Sequence, residues 1–154
     1  MSAPRSYRLS EHLPGTWLLK SRIDVTVAGE RHPDPLLGED PVALLIYDRS
    51  GHFSVQFMNR DRSSVPLAVS GRATNNTQAQ GGYDAYFGTY TVDDSTGMVT
   101  QQLWGAISPG TVGMTLTRAR RVEEDMLIIQ LATNALDGTP VTRTLTWMRQ
   151  GDTA

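Results

Sequence analysis

From Trp17 onward the chain alternates, with Trp17, Leu19, Ser21, Ile23, Val25 and Val27 on one side and Leu18, Lys20, Arg22, Asp24 and Thr26 on the other. A period of two sustained for this long predicts a strand with one buried and one wet face, because successive side chains of a strand point to opposite sides. Pro14 ahead of it opposes a helix and Gly15 gives a flexible entry. Residues Gly29 to Pro41 then form a loop rich in proline, glycine and charge. Val42 to Tyr47 is an apolar run of strand length, and Asp48-Arg49-Ser50-Gly51 reads as a turn with glycine where a positive φ is easiest. His52 to Met58 places Phe53, Val55 and Phe57 on one face and Ser54, Gln56 and Met58 on the other, so the two segments predict a hairpin.

A polar stretch from Asn59 to Gly82 carries no strand pattern, and its end, Thr77 to Tyr86, is compatible with a short helical turn. Strands resume over Phe87 to Val92, Met98 to Trp104, Val112 to Val122, Met126 to Ala132 and Val141 to Arg149. The turns between them are Asp93-Asp94-Ser95-Thr96-Gly97, Glu123-Glu124-Asp125 and Asp137-Gly138-Thr139-Pro140. Eight strands joined mostly by short turns fit a closed up-and-down barrel or a two-sheet sandwich. Closure removes both sheet edges, and eight strands enclose enough room for one small ligand. The expected organisation is an N-terminal arm over residues 1–12, one barrel over 13–150 and a tail over 151–154.

Composition narrows the function classes. A chain of 154 residues with formal net charge -2 has room for one core and offers no basic stripe for nucleic acid. The one basic cluster, Arg118-Ala119-Arg120-Arg121, is followed at once by Glu123, Glu124 and Asp125 and reads as a strand end plus a turn. Cysteine is absent, which excludes disulfides and thiolate chemistry. The first twelve residues hold no apolar run of signal-peptide type, and no segment is long enough to span a membrane as a helix, so a cytoplasmic location is expected. Asn75-Asn76-Thr77 matches a glycosylation sequon, which without a secretory signal reads as a polar loop. His12, His32 and His52 have no metal-ligand spacing, and there is no nucleophile elbow or phosphate loop. Neither a metal nor a cofactor is expected.

Gly15-Thr16-Trp17 at the head of the first strand matches the G-x-W signature of lipocalins and the wider calycin group. Asp40 to Tyr47, Gly51 to Met58 with Arg60-Asp61-Arg62, Tyr83 to Val92, Gly97 to Gly113 and Thr144-Leu145-Thr146-Trp147 follow in order and resemble the bacterial and fungal lipocalin-like domain family. The resemblance runs from Leu13 to Arg149 and implies an all-β, eight-stranded antiparallel up-and-down barrel of calycin type with a central small-molecule cavity. It also implies that Trp17 packs at the closed end of the barrel under a basic side chain from the C-terminus, for which Arg149 is placed, and that Gly29 to Pro41 forms a lid. Two segments depart from the family pattern: Ala106 to Val112 replaces a Phe-Pro-Asn-Trp-like turn, and Gln101-Gln102 stands where a histidine pair is common. Barrels of this kind have been recruited as cyclases and isomerases in natural-product biosynthesis, which makes a cofactor-independent enzyme one reading of the chain.

Aromatics and amides are the candidate chemistry. Tyr47, Tyr90, Trp104 and Gln102 are the candidate carbonyl-polarising donors for a cyclisation or isomerisation. Gln56, Phe57, Tyr86, Leu36, Leu37, Met114 and Arg143 are the candidate ligand contacts, the two leucines because an otherwise polar lid must put them somewhere. Gln56 and Gln102 either face solvent or are satisfied inside, and Arg143 either sits at the rim or reaches the cavity. The expected partner is a small apolar or polyketide-like molecule, not nucleic acid or a membrane, with a homodimer left open. A non-catalytic binder or carrier of a lipophilic metabolite needs the same pocket without aligned donors.

Overall fold

The structure is a computed structural model that describes residues 8–63, 65, 77 and 79–151. Its eight strands are β1 (Gly15–Thr26), β2 (Val42–Tyr47), β3 (His52–Met58), β4 (Tyr83–Asp93), β5 (Met98–Ala106), β6 (Thr115–Glu123), β7 (Met126–Asn134) and β8 (Pro140–Arg149). Each pairs antiparallel with its sequence neighbour, and β1 pairs with β8, so the sheet closes into an up-and-down barrel. A four-residue helix, α1 (Leu9–His12), precedes β1, a 3-10 turn at Pro109–Thr111 follows β5, and β6 begins at Thr115 where the sequence pattern starts it at Val112. The helical turn expected within Thr77 to Tyr86 is not formed where described: Tyr83 to Tyr86 already belong to β4 and pair with Val55 to Met58. Gln78 and the sequon residues Asn75 and Asn76 lie outside the described residues.

Two irregularities interrupt the pairing, and the first decides which side chains of β1 enter the barrel. In β1 the pairing with β8 runs Trp17↔Arg149 and Leu19↔Trp147, then resumes at Ser21↔Thr146, so β1 carries one extra residue at Lys20. An extra residue in a period-two strand reverses every later side chain. Trp17 and Leu19 are therefore buried, but beyond the bulge Arg22 and Asp24 turn inward, and Ile23 and Val27 turn out. The single apolar face expected for the whole of β1 is corrected accordingly. In the β4–β5 pair Phe87↔Gly105 is followed by Gly88↔Leu103, which leaves Trp104 as the extra residue. Gly88 is needed there, since a Cβ at this position would lie 1.8 Å from the Gln102 carbonyl oxygen.

The closed end is packed as the family resemblance implies. Trp17 is fully buried, its indole Nε1 donates to the Leu13 carbonyl at 3.0 Å, and the Arg149 guanidinium lies 4.2 Å from its ring centroid. Arg149 also donates to the carbonyls of Pro14 and His12, tying the last strand to the arm before the first. At the other end the loop between β1 and β2 folds back over the barrel, and Leu36 and Leu37 are buried beneath it.

Candidate functional site

The barrel interior is apolar at its walls and charged along one line. In β6 the buried positions alternate strictly as Leu116, Arg118, Arg120 and Val122, so two guanidiniums project inward between two apolar anchors. This corrects the reading of Arg118 to Arg121 as a neutralised strand end; only Arg121 faces out, 3.0 Å from Glu123. Gln101 enters from β5 and Tyr47 from β2. The Tyr47 hydroxyl oxygen accepts from Gln101 Nε2 at 3.1 Å and from Arg120 Nε at 2.9 Å. Arg120 also donates to the Arg118 carbonyl. With both acceptor positions used, the Tyr47 O–H proton remains to be given, and no acceptor takes it among the described residues. Burial pushes the Tyr47 phenol above its ordinary pKa while Arg120 opposes that shift, so the group is a neutral, polarised donor.

A second layer lies nearer the lid. Arg143 of β8 holds Asp24 of β1 through two bonds of 2.9 Å, Nε to Oδ1 and Nη2 to Oδ2, a bidentate fork. Arg22 lies 3.9 Å from Asp24 and donates to Asp34 of the lid at 3.2 Å. Burial, and the like charge of Arg143, lower Arg22 to about 10, still charged at neutral pH. Asp84 of β4 completes the layer: its Oδ2 accepts from Thr77 Oγ1 at 2.5 Å, whereas its Oδ1 is buried with no partner among the described residues. Desolvation raises the Asp84 carboxyl above the ordinary aspartate range, against the pull of Thr77 and Arg22.

Two small voids lie between these layers. One of about 20 Å³ is lined by Asp84, Arg22, Arg143, Leu37 and their neighbours; another of about 30 Å³ is lined by Gln101, Arg120, Trp147 and apolar wall residues. Phe57, Tyr86, Arg118 and Leu145 border both, so they are two parts of one interior axis. Each is on the order of one water in size, so an organic molecule enters only when the lid leucines and wall side chains give way. The indole Nε1 of Trp147, like Asp84 Oδ1, is buried without a partner among the described residues. One unmet donor and one unmet acceptor thus sit on the walls of the same narrow space. A wider groove of about 360 Å³ lies outside the interior, between Val27 and the β7–β8 hairpin, and gathers no charged side chain.

Of the residues singled out from the sequence, Tyr47, Phe57, Tyr86, Arg143, Leu36 and Leu37 are buried, and Met114 packs half-buried against the core. Tyr90 is half-buried at the closed end, its ring edge-on to Tyr47 at 4.7 Å and its hydroxyl bonded to the Asp48 carbonyl at 2.5 Å. Three candidates are corrected: Gln56, Gln102 and Trp104 point out of the barrel, Trp104 with 56% of its surface exposed and its ring against His52. Alternation explains all three, because Phe57 in β3 and Val99, Gln101 and Leu103 in β5 take the inward positions. Sequence reasoning missed Arg22, Asp24, Asp84, Gln101, Arg118 and Arg120. The parity of Arg118 and Arg120 with Leu116 and Val122 was a usable signal; Arg22 and Asp24 were hidden behind the bulge.

A closed eight-stranded barrel, with a lid over one end and a polar cluster on an apolar-walled axis, defines the lipocalin-like class of small-molecule-binding folds. The chain belongs to that family: the model of the lipocalin-like domain matches residues 14–150. No curated protein matches the chain. Among the described residues no helix is long and apolar enough to cross a membrane.

Proposed function

We propose that the barrel takes up a small, largely apolar, polyketide-like molecule along its interior axis and promotes its isomerisation or ring closure without a cofactor. The observation that carries the reading is the Tyr47 hydroxyl, which accepts from two donors and is left with its own proton to give. A substrate carbonyl accepting that proton is polarised in a water-excluded setting, where a preorganised donor acts most strongly. Arg120 and Gln101 hold the phenol in place, and Leu45, Val55, Phe57 and Ile129 supply walls that confine a flexible chain. Confinement contributes by restricting the substrate to reactive shapes. Tyr47 and Tyr86 keep the roles given to them from sequence, whereas Gln101 replaces Gln102 as the amide of the site.

A carrier reading has two observations in its favour. The Arg143–Asp24 fork and the nearly filled interior are features of a stable container as much as of a reaction vessel. Extraction of the protein from its own producing cells, followed by mass spectrometry, separates the two. Precursor and isomerised or cyclised product recovered together support the enzyme, and one unchanged lipophilic species supports the carrier. For the enzyme, Tyr47→Phe should lower turnover of the recovered precursor by about 100-fold, the effect of losing one preorganised donor. Turnover unchanged by that variant would remove Tyr47 from the mechanism.

A further inference from the structure

We infer that Asp84 moves a proton on the substrate, which makes the ligand class an enolisable carbonyl compound, one with an acidic C–H between a carbonyl and an alkene. This rests on the reading that a small molecule occupies the barrel, and it selects proton-transfer isomerisation from the reactions that reading allows. Asp84 is 5% exposed, lines the upper void, and keeps Oδ1 without a hydrogen-bond partner among the described residues. A buried acceptor with no partner is uncommon in folded proteins, and a proton-accepting role accounts for it. Thr77 fixes the carboxyl through Oδ2, which leaves Oδ1 as the reactive oxygen. The groups around it are Arg22 and Asp34 from β1 and the lid, Arg118 from β6, Arg143 from β8, and Tyr86 of its own strand. Arg22 and Arg143 hold Asp24 and Asp34. Arg118 borders both voids and can face an oxygen placed between them.

The step balances without a co-reactant. Asp84 Oδ1 takes the proton from the carbon between carbonyl and alkene, and the C–H electron pair becomes a carbon–carbon double bond as the carbonyl pair moves onto oxygen. The dienolate oxygen is stabilised by the Arg118 guanidinium and by Tyr86, both of which border the two voids. The protonated carboxyl returns its proton to the far alkene carbon, the carbonyl reforms, and the product is the conjugated isomer. A carboxyl held above the ordinary aspartate range by desolvation is a stronger base than a solvated one and gives its proton back more readily at neutral pH than the arginines could.

The test uses the full chain and cyclohex-3-en-1-one, whose conversion to the conjugated ketone is followed by absorbance. Entry into the barrel is read separately from the NMR signal of the Trp147 indole N–H. We expect that signal to shift on titration, conjugation to run faster than in buffer, and Asp84→Asn to lower the rate by about 100-fold or more. The Trp147 shift should persist in that variant, and Asp84→Glu should recover part of the rate. Independently of any variant, the rate of the wild-type chain should rise with pH through a midpoint above the usual carboxylate range. A shifted indole with no acceleration, a flat pH profile, or Asp84→Asn as fast as wild type overturns the proton-transfer role while leaving barrel binding intact. An indole signal that does not move overturns both.

Discussion

At the scale of single residues, Asp84 ties the candidate chemistry to a cost in stability. Its folded-state pKa is raised, mainly by desolvation, so the folded protein binds this proton more tightly than the unfolded chain does. The linked stabilisation is fully present below the unfolded pKa and is lost as pH rises through the folded value. Asp84→Asn keeps an acceptor for Thr77 and removes the titration. The melting temperature of the variant minus that of wild type should therefore become more positive as pH goes from about 4 to neutrality. Thermal melts at several pH values check it; a difference that is constant, or that falls with pH, would mean that Thr77 and Arg22 outweigh desolvation at this carboxyl. Sites tuned for chemistry commonly trade stability in this way. The contrasting residue is Arg149, stacked on Trp17 and bonded to the carbonyls of Pro14 and His12 with no access to either void. Its structural role was legible in the sequence because the G-x-W signature and antiparallel closure place the end of β8 beside the start of β1.

At the scale of elements, alternation located the strands but left open which face turns inward, and in β1 a bulge reversed the faces midway. The ends of β2 and β3 fall where the pattern of apolar residues puts them, and the inward set Phe53, Val55 and Phe57 is buried as expected. In β1 the same rule gave the right face up to Leu19 and the wrong one after Lys20, because a bulge leaves no mark in hydrophobic periodicity. The apolar Ile23 and Val25 made the error natural, and the charged Arg22 and Asp24 that replaced them inside are tolerated only because Arg143 arrives from β8 to pair with Asp24. Trp104, the bulge residue opposite β4, was misplaced together with Gln102 because alternation alone does not say which face of β5 turns inward, and Val99, Gln101 and Leu103 are the set that does. That second bulge depends on glycine: Gly88→Ala brings a Cβ against the backbone of Gln102, which no rotamer change relieves. We expect it to destabilise the barrel by about 1–3 kcal/mol, as overpacking does, or by more if the bulge is lost. Urea unfolding measures the loss, and Trp104 fluorescence reports the register. A variant as stable as wild type, with Trp104 still exposed, would show that the strands can separate here at little cost.

For the whole molecule the question is how anything reaches an interior whose voids are about 20 and 30 Å³. The closed end is sealed by Leu9, Leu13 and Trp17, all buried, and by the bonds of Arg149. Entry therefore falls to the lid, where the carboxylate of Asp34 gathers three hydrogen bonds. Asp34 Oδ1 accepts the amides of Leu36 and Leu37 at 2.7 and 3.3 Å, while its Oδ2 takes Arg22 at 3.2 Å. Asn59 adds a bond from its side-chain nitrogen to the Leu36 carbonyl at 3.0 Å. Asp34→Ala removes the carboxylate but leaves the Asp34 backbone carbonyl, which holds the Gly38 amide at 2.8 Å. Exchange at Gly38 therefore reports opening of the loop and not simply the deleted acceptor. Loss of a charge-assisted bond worth about 1.5–3 kcal/mol should speed Gly38 exchange roughly tenfold or more, while amides of β5 and β7 keep their protection. Local opening of this kind would let Leu36 and Leu37 withdraw without unzipping the barrel, and association of an apolar probe should quicken in the same variant. If strand amides instead accelerate together with Gly38, lid and barrel open as one unit, and access to Asp84 and Tyr47 must come from breathing of the whole sheet.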